Sequence, residues 1–383
     1  SASANMQGAS GWLNNHGLIK KTGGGLTQIS LPAHNWGTGA VHVQVDTGTL
    51  RIGQNGGDEE GTSTVAAGAT LEWLSRAVIY EASVTGAGTL RLGDGVQAAE
   101  LIVPSVLSSS VANTEIAAGV EIYGNGEVAI SGNAVWSGGT FKGLGERLYV
   151  TGELTISGAM GGKTLEDTTL TRMADTTWTA GNVTLNGAAA IKNYAYFDIQ
   201  GDGEIRTGED AGAKSFQNLV NGGSRGVVAK SGGAAGTTFK VDVVNAGDFT
   251  FLTRKMTFEA GFTTQAGGKV DLSGGTLDMN GQAFAFTAGL LVGPGTILGN
   301  VSFTGGTFKV KDTLSVQGTF SQGLAATLDM VFSNGWGKVA ATGQVTLEGS
   351  LHVTVEAGTP DDVFRDLVTS GVGLTYTPLE PPP

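Results

Sequence analysis

Cysteine is absent from the 383 residues, which removes disulfides, thiolate metal sites and cysteine nucleophiles together. Proline is scarce: there are eight, and four fall in the last six positions. Collagen, which pairs abundant Pro with Gly at every third place, is excluded. Basic residues are few, 22 Lys and Arg against 34 Asp and Glu, for a net charge of −12. They are scattered, with Lys20-Lys21 and Arg254-Lys255 the only adjacent pairs. Nucleic acid and anionic membrane surfaces repel such a chain. Long apolar runs are missing too. The most apolar stretch, Ala283 to Val292, is broken by Thr287 and Gly289 and is too short to span a bilayer. No basic n-region leads into an apolar h-region. The small, neutral start SASANMQGAS suits a chain seen after signal cleavage, or a cut fragment.

Glycine is what the chain has in excess, 64 residues, more than double the ordinary usage of roughly 7%. Hydrophobic residues at 40% supply enough apolar surface for a core, so a folded chain with many tight turns is expected. The length exceeds the ~250–300 residues at which one compact core stops growing, yet no Pro/Ser linker or charge run divides it. Either two domains abut, or one domain grows along an axis by repetition.

A short pattern, Gly-x-[Val/Leu]-x-[Leu/Ile/Phe]-x-Gly, recurs. It appears as GEVAISG from Gly126, GELTISG from Gly152, GNVTLNG from Gly181, GKVDLSG from Gly268, GNVSFTG from Gly299 and GQVTLEG from Gly343. Each reads as a period-two strand bounded by turn-forming Gly. GTLRIG from Gly48 returns as GTLRLG from Gly88, forty positions on. VAAGATLEW from Val65 is echoed by IAAGVEIYG from Ile116, and SGGTFK from Ser137 by SGGTLD from Ser273 and TGGTFKV from Thr304. Several separations of the Gly-bracketed pattern lie between 26 and 31 residues, the imperfect period of a solenoid. Coils of ~22–28 residues would number about 14–17 and, at ~4.8 Å each, build a rod of roughly 65–80 Å. The dipeptides Asn125-Gly126 and Asn280-Gly281 keep antiparallel hairpins open. Helical periodicity is nearly missing. TPDDVFRDLVTSG from Thr359 reads as a helix capped by Thr359 or equally as a strand.

From about Trp136 onward the chain resembles the Gly-rich parallel β-helix repeats of bacterial surface proteins, such as autotransporter passenger domains and filamentous-haemagglutinin-like adhesins. The strings that carry it are VWSGGTFKGLGERLYVTGELTISG, VVNAGDFTF, LSGGTLDMNG, LLVGPGTILGNVSFTGGTFKV, LSVQGTFSQG and KVAATGQVTLEGSLHVTV. The resemblance covers roughly two-thirds of the chain and implies an all-β, single elongated right-handed parallel β-helix. Residues 1–35 would form an N-terminal cap or first coils, 36–375 the solenoid, and 376–383 the start of a Pro-rich linker or tail. It departs from the autotransporter pattern in that no β-barrel follows and the sequence given ends in TPLEPPP. A Pro-rich shaft, as in an algal or protist surface glycoprotein, also fits that end.

Several constellations could carry chemistry. The acidic clusters Asp58-Glu59-Glu60, Glu166-Asp167, Glu209-Asp210 and Asp361-Asp362 put neighbours on opposite faces of a strand and read as solvated turns. DIQGDGEIRTGE, Asp198 to Glu209, matches a calcium loop at Asp198, Asp202, Gly203 and Glu209, with Gln200 in place of the third-position acid and strand-like flanks where helices are usual. Calcium is thus the one cofactor weighed. His34 and His42 are eight apart, with Gly37 and Gly39 between them, which bends any strand that would align them as ligands. Asn182 and Asn300 head N-x-[ST] sequons at one place in the repeated strand, where Asn and Thr or Ser share the outward face. Asn193, Asn218 and Asn245, 25 and 27 residues apart, suit either an amide ladder in a solenoid or three unrelated turns. Of Trp12, Trp36, Trp73, Trp136, Trp178 and Trp336, those before a Gly-rich turn (Trp36, Trp136, Trp336) read as corner packing, and an exposed pair could stack on sugars. No Ser nucleophile elbow, HExxH or phosphate loop is present.

The expected function is a non-catalytic, extracellular structural or adhesive solenoid, the stalk or head of a surface protein. Its partners would be itself, neighbouring surface proteins, or host or matrix glycans and proteins, with no nucleic acid and no membrane insertion by this segment. A self-assembling filament subunit and a polysaccharide-active β-helix enzyme are the alternatives.

Overall fold

The computed structural model describes residues 4–6, 11–36, 41–53, 57–96, 98–158, 162–252, 254–332, 337–355 and 367–376. All regular structure among them is β-strand, with no helix. Residues 359–366, most of the helix-or-strand segment, fall outside the described residues; near its end Val368–Ser370 is a strand. Trp336 and Asp361-Asp362 also fall outside.

Strands pair in parallel with the strand one turn on. Ala4–Met6 lies beside Leu26–Ile29, Leu13–Asn15 beside Ala33–Asn35, and Ile19–Lys21 beside Val41–Val45. Three strands complete a turn, so each turn presents three faces, and the chain is a β-solenoid of about 16 turns. The first coils already follow this pattern. The one antiparallel pair among the described residues is the small hairpin Val220–Asn221 with Ser224–Arg225.

The chain divides into two compact units, Ser1–Lys192 with Thr207–Lys214, and Asn193–Arg206 with Ser215–Pro383. In the first unit the register partner lies from 19 residues on (Thr70 with Thr89) to 25 (Glu81 with Val106). Inward positions stack as Leu50, Leu71 and Leu90, and as Ile52, Trp73 and Leu92, all buried. In the second unit the spacing runs from 17 (Phe284 with Val301) to 34 (Glu204 with Thr238). The longest spacing accommodates the hairpin. Inward residues there are largely aromatic: Phe239 stacks on Phe258 with centroids 5.3 Å apart, and Phe258 on Phe262 at 4.4 Å. Each buried Leu or Phe contributes about 1.5–3 kcal/mol of transfer free energy, against a backbone ordering cost of about 1–2 kcal/mol per residue.

The Gly-bracketed strands sit on different faces. Glu127–Ile130 pairs with Leu148–Val150, whereas Leu154–Ile156 pairs with Ala134–Trp136. Successive copies are therefore one turn plus part of another apart, and their 26–31 spacing is not the coil period. The GTLR echo does report it. Thr49, Thr70 and Thr89 are stacked partners, so its forty residues are two turns.

Glycine is required at the corners. At Gly86 φ is +117°, and a Cβ would lie 2.2 Å from the Val65 carbonyl oxygen of the coil before. Gly289, φ +91°, would meet the Gly268 oxygen at 2.4 Å. L-residues with a side chain are excluded there by both backbone and neighbour. The prolines among the described residues, Pro32, Pro104 and Pro294, all lie outside strands, as the ladder's need for N–H donors requires.

Candidate functional site

The first coils of the first unit carry two columns of functional groups, back to back. Leu13–Asn15, Ala33–Asn35 and the strand Asp58–Val65 stack so that Asn14, His34 and Asp58 are register partners, as are Asn15, Asn35 and Glu59. Strand alternation turns the two columns to opposite sides.

On the outer side, Trp12 and Trp36 bracket His34. Ring centroids are 4.4 Å apart for Trp12–His34 and 5.8 Å for His34–Trp36, the latter nearly parallel at 13°. His34 Nδ1 lies 2.7 Å from Asp58 Oδ2, which fixes the ring. Trp12 is 63% exposed and Trp36 37%, high for a residue type that is ordinarily well buried. This corrects the expectation of corner packing for Trp36, which continues the alternation of Ala33–Asn35 and shares the outward side of His34. Trp136, within a strand, is buried between its partners Ile116 and Ile156. Trp73 and Trp178 are buried as well.

On the inner side, Asn15 Nδ2 donates to Asn35 Oδ1 at 2.8 Å, and Asn35 Nδ2 to Glu59 Oε2 at 2.8 Å. Glu59 is almost fully buried. Burial pushes its carboxyl up to about 8, with Asn35 opposing and Asp58 adding to the rise. The acidic run is thus a strand with its middle member inside, not the solvated turn expected. Glu166 and Asp167 also lie in a strand, Lys163–Arg172, while Glu209 and Asp210 are in a bend.

The next outward column is ionic. Arg51, Glu72, Arg91 and Glu115 are successive partners. Arg51 Nε is 2.9 Å from Glu72, and Arg91 reaches Glu72 at 3.8 Å and Glu115 at 2.6 Å.

The other sequence candidates fall out as follows. Asn193 Nδ2 donates to Asn218 Oδ1 and Asn218 Nδ2 to Asn245 Oδ1, both at 2.9 Å, with all three fully buried. They form one ladder. Of the calcium-loop residues, Asp198 lies in the strand Tyr196–Ile199, Asp202 precedes the strand Glu204–Thr207, and Glu209 is in the bend after it. Asp202 accepts the amides of Ala234, Ala235 and Gly236 at 2.7–3.0 Å and Lys230 Nζ at 3.3 Å. Burial alone would raise its pKa, but these donors hold it down to about 2. Asp198 accepts from Gln200 and Ser231. Asn182 and Asn300 part company. Asn300 is exposed and accepts the Thr319 amide at 2.9 Å, whereas Asn182 is 5% exposed. Both stand one residue before their strands, and the expectation that both sequons face outward fails at Asn182. His42 is buried, with Nδ1 3.1 Å from the Gly17 oxygen, on a strand of another face from His34. Among the described residues no three His, Asp or Glu gather into a metal-holding group.

Sequence reasoning missed the Asn15–Asn35–Glu59 column, whose signal is LNN and HNW at a 20-residue offset. It also missed Arg172, buried with its guanidinium on the carbonyls of Val150, Gly152, Ala174 and Asp175 and on Thr176 Oγ1. No helix of the described residues is long and apolar enough to cross a membrane.

No protein-family model matches the chain, and neither a curated protein nor a solved structure matches it.

Proposed function

We propose that this protein is a non-catalytic, extracellular structural or adhesive solenoid, a stalk or head at a cell surface, that acts by displaying its outer faces to glycans or proteins. The observation that carries the reading is the exposed Trp12–His34–Trp36 row. Exposed, oriented aromatic rings beside a carboxylate are characteristic of contact surfaces, since Trp buries large area at small entropic cost. Three of the more enclosed carboxylates have partners within the fold: Glu72 lies between two arginines, Asp202 among loop amides, and Glu59 at the end of an amide ladder. The test is retention of the labelled protein on intact cells and on immobilised matrix glycans and proteins. Retention lost in a Trp12→Ala/Trp36→Ala variant of unchanged thermal stability supports the reading. Equal retention of that variant, or product release from a polysaccharide panel, overturns it.

A self-assembling filament subunit is the second reading, favoured by the strand Ser350–Val355. Its partner strand buries Leu328, Met330 and Phe332, but Leu351, Val353 and Val355 are 43–65% exposed. An open apolar strand recruits another chain. Mass that rises with concentration, and falls back in Val353→Lys, supports it; a concentration-independent monomer excludes it.

A further inference from the structure

Beside the inner column of the first coils is a cavity of about 10 Å³, the least space that holds one water molecule. Glu59, Trp73 and Ser75 line it, with Ala33 and Ile52 as apolar wall and Arg76 among the lining residues. Two of its polar atoms, Trp73 Nε1 and Ser75 Oγ, are buried without a hydrogen-bond partner. A buried donor left unpaired is costly, and buried indole N–H groups ordinarily find an acceptor. Both orphans belong to residues that line one water-sized space together with buried Glu59.

We propose that this cavity is a binding site for a single water molecule that accepts the Trp73 N–H and links it to the Ser75 hydroxyl and to Glu59 in its protonated form. The valences close. The water's two lone pairs take the indole N–H and the Glu59 O–H, and one of its own hydrogens goes to Ser75 Oγ. Glu59 Oε2 meanwhile accepts from Asn35. The proton on Glu59 is then part of the native state of these coils. The charged groups around it do not replace it. Asp58 and Glu60 flank it on its own strand, and His34 is engaged with Asp58 on the outer side. Arg76 pairs with Glu100 at 3.7 Å, and Glu72 is held between Arg51 and Arg91. Ionising Glu59 removes a donor from the network and places a charge against Ala33, Ile52 and Trp73.

Water-selective NOE spectroscopy on the full chain tests the site, with the Trp73 indole resonance assigned by Trp73→Phe and the Glu59 carboxyl by Glu59→Gln. The expected result is a cross-peak between the Trp73 indole proton and a slowly exchanging water, retained in Glu59→Gln, and a Glu59 midpoint at about 8. An indole proton protected from exchange but without a water cross-peak overturns the proposal. So does a Glu59 midpoint in the ordinary carboxylate range. The water cross-peak and the Glu59 midpoint are both read on the unmutated chain, and each assigning variant is first checked for an otherwise unchanged amide spectrum.

Discussion

In the first unit the outward column that climbs from coil to coil alternates in charge; in the second the inner columns repeat the same residue. Arg51, Glu72, Arg91 and Glu115 take turns, whereas Asn193, Asn218 and Asn245 are one residue three times over. Fourteen of the fifteen Phe lie at or beyond Phe197, while five of the six Trp lie at or before Trp178. Parallel stacking explains the contrast. Each residue sits over its partner at ~4.8 Å, so a column must be made of groups that tolerate their own kind or of opposites. A primary amide carries a donor and an acceptor and can pass the bond along, and aromatic rings stack offset or edge-on. Like charges at that spacing destabilise, so an ionic column has to alternate. The Asn15–Asn35 pair in the first unit obeys the same rule, and its run of amides ends at Glu59, which accepts from Asn35.

The comparison can be broken at four points. Phe239→Ala removes a ring in contact with Phe216, Phe249 and Phe258 and should cost about 3–5 kcal/mol in chemical denaturation. Phe239→Leu, which keeps much of the volume, should cost about 1–2 kcal/mol. A loss in Phe239→Leu as large as in Phe239→Ala would mean that the ring contacts, which both variants remove, and not the buried volume, are what the site selects.

Asn218→Ala strands a donor on Asn193 and an acceptor on Asn245, and should cost about 2–4 kcal/mol. Hydrogen exchange should quicken around Asn193 and Asn245. A loss below about 0.5 kcal/mol would show that the amides do not depend on one another.

Glu59 and Asp202 give the two units opposite responses to pH. Glu59's folded pKa is raised from 4.5 to about 8, so its native form holds a proton that the unfolded chain has released. Stability of the first unit therefore falls as pH rises from about 5 to 8, by up to about 1.4 kcal/mol per pH unit. Glu59→Gln should flatten that slope and stabilise at pH 7 by about 1–3 kcal/mol. Asp202's folded pKa is lowered from 3.8 to about 2, so the second unit should lose stability as pH falls from about 4 to 2. Exchange protection mapped at pH 3, 5 and 8 would read both at once. Parallel trends in the two units would refute the assignment.

The smallest effect is expected at Glu72→Ala, about 1 kcal/mol, reduced by salt. Its arginines are part-exposed and can turn to water, as Asn193 and Asn245 cannot.

The parallel coils were legible in the sequence because short alternating strands between glycines recur, and because proline is missing where a ladder must donate. The Asn193 ladder was legible because identical residues end strands of the same face. The 26–31 spacing does not report the coil period, because the Gly-bracketed motif marks any strand, whichever face it occupies. The expected count of about 14–17 coils nonetheless agrees with the solenoid's about 16 turns. Glu59 was hidden inside Asp58-Glu59-Glu60, where three acids in a row resemble a turn; only the register against Asn35 puts the middle one inside. Trp36 and Trp136 both stand near glycine, and what separates them is their parity in the alternation, outward with His34 in one and inward with Ala134 in the other, which the glycine neighbour does not encode. Arg172 is satisfied almost wholly by backbone carbonyls of two coils, a partnership that leaves no trace in residue identity.

The central claim is that residues about twenty apart stack like on like or opposite on opposite. Because the chain has no cysteine, one engineered pair reports one contact. Thr49→Cys with Thr70→Cys places thiols on register partners; Thr49→Cys with Arg76→Cys places them at the 27-residue offset that the Gly-bracketed motif suggests. Dibromobimane fluoresces when it bridges two close thiols. The account predicts rapid bridging of 49 with 70 and none of 49 with 76; bridging at 76 without bridging at 70 would contradict it.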